Sequence, residues 1–276
     1  MALMLDEPVD LERRFGGLRR LYGDAGYARI RVARVAIVGV GGVGSWAAEA
    51  LARSGVAGLT LIDLDHVSES NINRQIQATS ATLGQAKVQA LRERIVGIHP
   101  GCEVICVEEF VDESNWPALL PHPVDAVIDA CDQVRAKAAI AGWALGTRFG
   151  ALIAAGAAGG KRQPHAVQVD DLAVVTHDPL LAALRQRLRK HHGAARNGKI
   201  GVRCVYSREA VIAPGALICE TADDDGATTS IDGSLNCHGY GSSVTVTASF
   251  GMAAAGETIA QLLTAKALAS SAKAML

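Results

Sequence analysis

Aromatic residues make up only 4% of the 276-residue chain, and neither sign of charge dominates, the net being -1 at pH 7. Near-neutrality excludes a global attraction to nucleic acid, though not a local basic patch. The six cysteines, Cys102, Cys106, Cys131, Cys204, Cys219 and Cys237, include no C-x-x-C pair. Neither a zinc ribbon nor a disulfide framework is expected, and most of them read as small buried hydrophobes. The first dozen residues carry Asp6, Glu7, Asp10 and Glu12 in place of a basic flank and an apolar core, so a cytoplasmic protein is expected. No G-x-x-x-x-G-K-S/T loop occurs; Gly156 to Lys161 comes nearest, with the wrong spacing and Arg162 where a hydroxyl is needed. The apolar stretch from Ser243 to Ala269 contains Thr245, Thr247, Glu257, Gln261 and Lys266. A charge at the bilayer centre costs about 2.5–3.5 kcal/mol on insertion scales, so this stretch reads as a packed helix and not as a membrane span.

What the chain does have is an alternation of strand and helix patterns. Residues 10 to 31 read as short helices, interrupted by Gly16, Gly17 and Gly23. Strands are expected at 34–38, 59–63, 104–107, 124–129 and 151–155, with helices at 42–54, 85–98 and 133–146 and a short one around Trp116. Such a rhythm predicts an α/β fold: a doubly wound, Rossmann-like, mostly parallel sheet that gathers ligands at the strands' carboxyl ends. After Gly156 the pattern changes, with strands at 167–169 and 202–206 continuing the sheet, a loop-rich acidic stretch containing Asp223, Asp224 and Asp225, and the final packed helix. Residues 1–156 are expected to form a nucleotide-binding half and 157–276 a substrate-facing half of one continuous unit.

Between the first strand and its helix stands Gly39-x-Gly41-Gly42-x-Gly44. Gly39 permits a sharp turn, Gly41 lets backbone approach a ligand, and Gly44 lets helix and strand pack closely. The helix's first N–H groups then face an anion. Asp63, 19 residues beyond Gly44 at the end of the second strand, suits ribose hydroxyls. That much fits NAD and ATP alike. Asp65, Asn71, Arg74 and Gln75 crowd the next loop and Lys87 opens the following helix; two fixed cations suit a triphosphate that sheds pyrophosphate. Asp129 and Asp132 end the fourth strand, with Asp132 favoured as a Mg²⁺ ligand and Asp129 equally readable as structural. Between Pro179 and Arg208 the chain carries Arg185, Arg187, Arg189, Lys190, Arg196 and Lys199 with no Asp or Glu until after Arg208. These read as RNA-phosphate contacts or as the solvated face of a helix whose Leu180, Leu181, Leu184 and Leu188 point inward.

Together, the glycine turn, Asp63-Leu-Asp65, Ser70-Asn71-Ile72-Asn73-Arg74-Gln75, Gly84-x-x-Lys87 and Asp129-x-x-Asp132 resemble the adenylation domain of the ubiquitin-activating-enzyme superfamily. One branch is closer. Arg14-Phe15-Gly16-Gly17, Gly44-Ser45-Trp46-Ala47-Ala48-Glu49, Gly156-x-x-Gly159-Gly160, Asp178-Pro179-Leu180 and Gly201-Val202-x-Cys204-Val205-Tyr206-Ser207 resemble the tRNA threonylcarbamoyladenosine dehydratases, over about Leu11 to Ala265. The resemblance implies ATP-dependent cyclisation of threonylcarbamoyladenosine beside the tRNA anticodon. It implies that Asp63 binds ribose, that Asn71, Arg74, Gln75 and Lys87 bind phosphates, and that Asp132 binds Mg²⁺. It further implies a homodimer in which Arg14 reaches the partner's site in trans. Gln133 departs from the Asn or Ser of many relatives. A monovalent cation, Na⁺ or K⁺, is left open. So are two other functions: an adenylyltransferase for a sulfur-carrier protein, weakened by the missing C-x-x-C pairs, and a sulfur-relay scaffold docking a cysteine desulfurase or its sulfur-acceptor protein. A catalytic cysteine is disfavoured, with Cys237 beside His238 the best exception.

Overall fold

Short runs of β-branched and aliphatic residues become the strands of a single seven-stranded sheet in the computed structural model, which describes residues 9–212 and 240–264. The acidic run 223–225, Cys219, Cys237, His238 and Lys266 lie outside the described residues. Strands β1 (Arg34–Val38), β2 (Gly58–Ile62), β3 (Glu103–Val107), β4 (Ala126–Asp129), β5 (Leu152–Ala155), β6 (Val167–Asp171) and β7 (Arg203–Ser207) stand in the order β3-β2-β1-β4-β5-β7-β6. Every pairing is parallel except β6 with β7. The mostly parallel sheet, its extension by β7 and β6 and the packed final helix agree with the sequence pattern.

Helices α1 (Leu11–Val32), α2 (Gly44–Arg53), α3 (Lys87–Ile98), α4 (Val134–Thr147), α5 (Pro179–His191) and α6 (Val244–Thr264) cover the two faces. Alternation along β1 sorts its side chains by face. Val35 and Ile37 join the core made with Leu51 of α2, Leu91 of α3 and Phe250 of α6. Ala36 and Val38 join the opposite core with Ile140 of α4 and Leu181 and Leu184 of α5. A strand buried on both faces needs a continuous apolar run, which is why β1 and β2 show one. Each fully buried large aliphatic side chain is worth about 1.5–3 kcal/mol, so these two layers set the positions of the strand ends. Among the described residues no helix is long and apolar enough to cross a membrane.

Two local expectations are corrected. Gly16 and Gly17 lie within helix, and the first segment breaks only at Gly23 (φ 71°, ψ 171°). Asp10 starts that segment by accepting the Arg13 N–H at 2.9 Å. Around Trp116 there is no helix but a run of turns over residues 113–119. The Asp112 carboxylate accepts N–H groups from Ser114 and Asn115, and Asn115 Oδ1 accepts the Asp112 N–H. Side chains thereby satisfy the backbone locally, and Pro117 has no N–H to continue a helical ladder.

Candidate functional site

The order of strands reverses between β1 and β4, and a crevice of about 380 Å³ opens beyond their carboxyl ends, where an open α/β sheet places its ligands. The turn after β1 forms its floor. Gly39 sits at φ 81°, and a Cβ there would lie 2.9 Å from the Cys131 N and 3.0 Å from the Ala130 carbonyl oxygen. At Gly44 a Cβ would collide with the Gly39 carbonyl oxygen, so the turn closes on α2 only with glycine at that position. The start of α2 has no side-chain cap. Its positive end therefore faces the crevice lined by Gly39, Gly41 and Gly42.

Asp63, just past β2, is fixed by two backbone donors: the Val40 N–H at 2.8 Å and the Asp65 N–H at 2.9 Å. Burial pushes its carboxyl above the usual carboxylate range, against the pull of Lys87 and these amides. The remaining oxygen lone pairs are available to hydroxyls, since a carboxylate has about four acceptor sites. Lys87 opens α3 and is buried, its Nζ 2.6 Å from Asp65 Oδ2. Arg74 donates to the Ser70 carbonyl at 2.6 Å and to Asn73 Oδ1 at 3.0 Å, and burial lowers its guanidinium pKa. The Arg74 carbonyl oxygen accepts from Trp46 Nε1 at 2.9 Å and from the Thr247 hydroxyl at 3.4 Å, so α2 and α6 hold this cation's backbone. Asn71 closes the preceding turn, its Oδ1 accepting the Ser68 N–H at 3.1 Å. Gln75 Oε1 accepts from Gln77 Nε2 at 3.3 Å. Asp63, Asp65, Asn71, Arg74, Gln75 and Lys87, with Asp132, line the crevice.

The aspartate that ends β4 and the one three residues past it divide the work. Asp129 is wholly buried, 3.1 Å from Lys137 Nζ, and accepts the Cys131 N–H at 3.2 Å; it is a structural ion pair. Asp132 faces the crevice. Its position suits Mg²⁺, which takes one or two carboxylates and completes its shell with phosphate oxygens and water. Nucleophilic thiols are not formed by the described cysteines. Burial pushes Cys102 and Cys106 up to about 11 and Cys131 and Cys204 still further above the ordinary thiol value. Cys219 and Cys237 lie outside the described residues.

Arg14 does not line its own chain's crevice; its Nη1 donates to the Ile98 carbonyl at 2.7 Å, at the end of α3. On α5, Leu180, Leu181, Leu184 and Leu188 are buried. Three of the basic residues have internal contacts: Arg185 to the Leu172 and Val175 carbonyls, Arg187 to Glu113, and Arg189 to the Ala195 and Arg196 carbonyls. Lys190, Arg196 and Lys199 are exposed.

One crevice residue has no signature in sequence, and another stretch was marked there only by resemblance. Phe110, after β3, lines the crevice while 53% exposed, and Asn115 Nδ2 holds its carbonyl at 2.7 Å. Gly156–Gly159 form another wall. There the buried Asp178 caps α5 through the Leu181 N–H and accepts the Ala157 N–H, both at 2.9 Å. The rule that ligands gather at strand ends marks both loops, but only once the strand order is known.

A switch-point crevice lined by a glycine turn, two cations and the carboxylates of Asp63 and Asp132 is that of a nucleotide-binding α/β protein. The chain belongs to the ThiF family, whose family model matches residues 14–275. It is similar to the tRNA threonylcarbamoyladenosine dehydratase of Escherichia coli strain K12, with 40% identity over 257 residues covering 91% of this chain and 94% of that protein. Its likeness to the Haemophilus influenzae dehydratase is 39% over 258 residues, covering 92% and 95%. Among solved structures, the E. coli dehydratase TcdA in complex with ATP matches with a TM-score of 0.79 at 40% identity, over 91% of this chain and 94% of that one. The resemblance drawn from the motifs is borne out.

Proposed function

We propose that this protein cyclises threonylcarbamoyladenosine in tRNA, beside the anticodon, at the expense of ATP. The observation that carries the reading is the meeting of Arg74, Lys87 and Asp132 with the glycine turn at one crevice, in a chain that resembles these dehydratases along nine-tenths of its length. The nucleotide lies with its ribose on Asp63 and its phosphates toward α2, Arg74 and Lys87. An oxygen of the substrate's threonyl carboxylate attacks the α-phosphorus, and the bond to pyrophosphate breaks. Arg74 and Lys87 stabilise the charge that builds on the phosphoryl and leaving oxygens. Asp132 would hold Mg²⁺, which supplies further neutralisation of the phosphates. The adjoining carbamoyl group then attacks the activated carbonyl, AMP departs, and the net loss is one water. Proximity within one nucleoside supplies much of this step's rate, so no protein nucleophile is needed, in keeping with the raised cysteine pKa values.

Residues 1–156 supply most of the nucleotide's contacts, with residues 157–159 adding a wall, and the half 157–276 supplies the surface that faces the tRNA, in the cytoplasm. Lys190, Arg196 and Lys199 are the exposed cations that suit RNA phosphates. The functional unit is a homodimer in which Arg14 acts on the partner's nucleotide. Nucleoside mass spectrometry of tRNA incubated with protein and ATP is expected to show threonylcarbamoyladenosine lighter by one water. An unchanged spectrum from protein that binds ATP would overturn the reading.

Phe110 gives the nucleotide a wall. It lies three residues past β3, whose last residue, Val107, accepts the Asp63 N–H at 3.1 Å, so a nucleotide whose ribose rests on Asp63 has its base within reach of this aromatic ring. Because base–aromatic stacking is worth about 1–3 kcal/mol, Phe110→Ala is expected to raise the ATP KM about five- to a hundredfold with little change in kcat. Steady-state kinetics with varied ATP read this directly, and an unaltered KM would remove Phe110 from the site.

A further inference from the structure

Lys161 is 2% exposed, and among the described residues none of its hydrogen-bond acceptors is a carboxylate. Its Nζ donates to the Ser207 carbonyl at 2.9 Å and to the His177 and Glu209 carbonyls at 3.2 Å each. Three ammonium donors thus meet three backbone acceptors. Burial lowers the lysine pKa, while Asp178 and Glu209, further off, raise it. Isolated buried charge is costly, so the converging carbonyl dipoles are what keep an ammonium here. His177 contributes its carbonyl from a left-handed backbone (φ 59°).

The cage lies where the crevice wall is tied down. Lys161 directly follows Gly156–Gly160, whose first four residues line the crevice. The Gly156 N–H donates to the Val205 carbonyl in the middle of β7, and the Ala157 N–H to Asp178, the neighbour of His177. Gly160 donates to the Gly241 carbonyl and accepts from the Ile212 N–H, both at 2.8 Å. The Glu209 carboxylate accepts the Arg162 and Gln163 N–H groups. One ammonium therefore links the wall loop, the turn before α5 and the end of β7.

Backbone carbonyls converging on a single unit charge are the donors with which proteins strip water from an alkali cation. We propose that Lys161 is a built-in monovalent cation: its ammonium occupies a carbonyl cage of alkali-metal type and positions the Gly156–Gly159 wall, making that wall independent of Na⁺ or K⁺ in solution. The cage's donors are already used, so a free alkali ion does not fit it in this chain. Lys161 is a positioning residue that acts through the wall.

Two variants test this by melting temperature and ATP affinity, readouts that stand apart from the tRNA reaction. Each is measured at equal ionic strength in potassium, ammonium and tetramethylammonium chloride, the last ion being too large for the cage. The native protein is expected to melt at the same temperature and bind ATP equally in all three. Lys161→Ala vacates the site and leaves three carbonyls unpaired; at about 1.4 kcal/mol per tenfold, it is expected to bind ATP about tenfold more weakly in tetramethylammonium. Potassium or ammonium should restore both its affinity and its melting temperature. Lys161→Met fills the space with an apolar stem and should show no recovery in any salt. The proposal is overturned by potassium dependence of the native protein, by an alanine variant that matches native in tetramethylammonium, by one that neither small cation restores or folds, or by a methionine variant restored as fully as the alanine one.

Discussion

Asp132→Ala is expected to lower turnover at least about a thousandfold, the scale on which losing a metal-held charge contact of several kcal/mol acts, while the chain still folds. Asp132 faces the crevice, and Asp129, three residues earlier, is the member of the pair that the fold needs. Asp129→Ala is therefore expected to do the opposite first. It strands Lys137, which is fully buried beside it at 3.1 Å, and breaking one side of such a pair costs about 3–5 kcal/mol. Thermal melts and ATP–pyrophosphate exchange separate the two outcomes. Unchanged turnover of Asp132→Ala at ordinary Mg²⁺ would sink its assignment. The same variant reports on Arg14. If Arg14 acts across a two-fold interface, a heterodimer of Arg14→Ala and Asp132→Ala chains holds one site with neither defect, and random mixing of equal amounts returns about a quarter of native activity. No recovery from verified heterodimers would confine Arg14 to its contact with the Ile98 carbonyl.

The run from Arg34 to Arg53 was fully legible because local chemistry and tertiary role coincide in it. Apolar β-branched residues need a buried strand, and Gly39 and Gly44 occupy positions that a Cβ would close. That Asp63, Lys87 and Asp132 line the crevice was legible through spacing, since each stands just past a strand or at a helix start, while Arg74, in the turn after residues 69–71, was legible only as part of its motif. Residues whose role depends on what lies across space were not. Nothing in Asp129-x-x-Asp132 tells which carboxylate meets Lys137. The basic run on α5 gives no sign that Arg185, Arg187 and Arg189 turn to carbonyls and Glu113. Phe110 and Lys161 lie outside any motif; one becomes interesting through exposure at a crevice, the other through burial. The turns around Trp116 were misread because side-chain contacts at Asp112 and Asn115 override an apolar pattern.

Lys87→Ala should cost more than one lost cation, because of what it leaves behind. Lys87 Nζ lies 2.6 Å from Asp65 Oδ2, so in its absence a carboxylate at the crevice edge faces the nucleotide phosphates unopposed. Removing one preorganised donor to developing charge typically costs about 10²–10³ in kcat, and repulsion from Asp65 adds to that. The Asp65 side chain is 54% exposed, so solvent screening limits the added part to about 1 kcal/mol or less. Asp65→Asn in the Lys87→Ala background is therefore expected to recover up to about fivefold, whereas Asp65→Asn alone leaves Lys87 free to meet the phosphates and changes little. The separation of kcat from KM is the informative measurement. Charge that builds on the departing pyrophosphate predicts that kcat falls far more than KM for ATP rises. A variant with normal kcat and only a raised KM would show that Lys87 holds the ground-state nucleotide and takes no part in driving pyrophosphate off, leaving Arg74 and the residue at 132 to carry that charge alone.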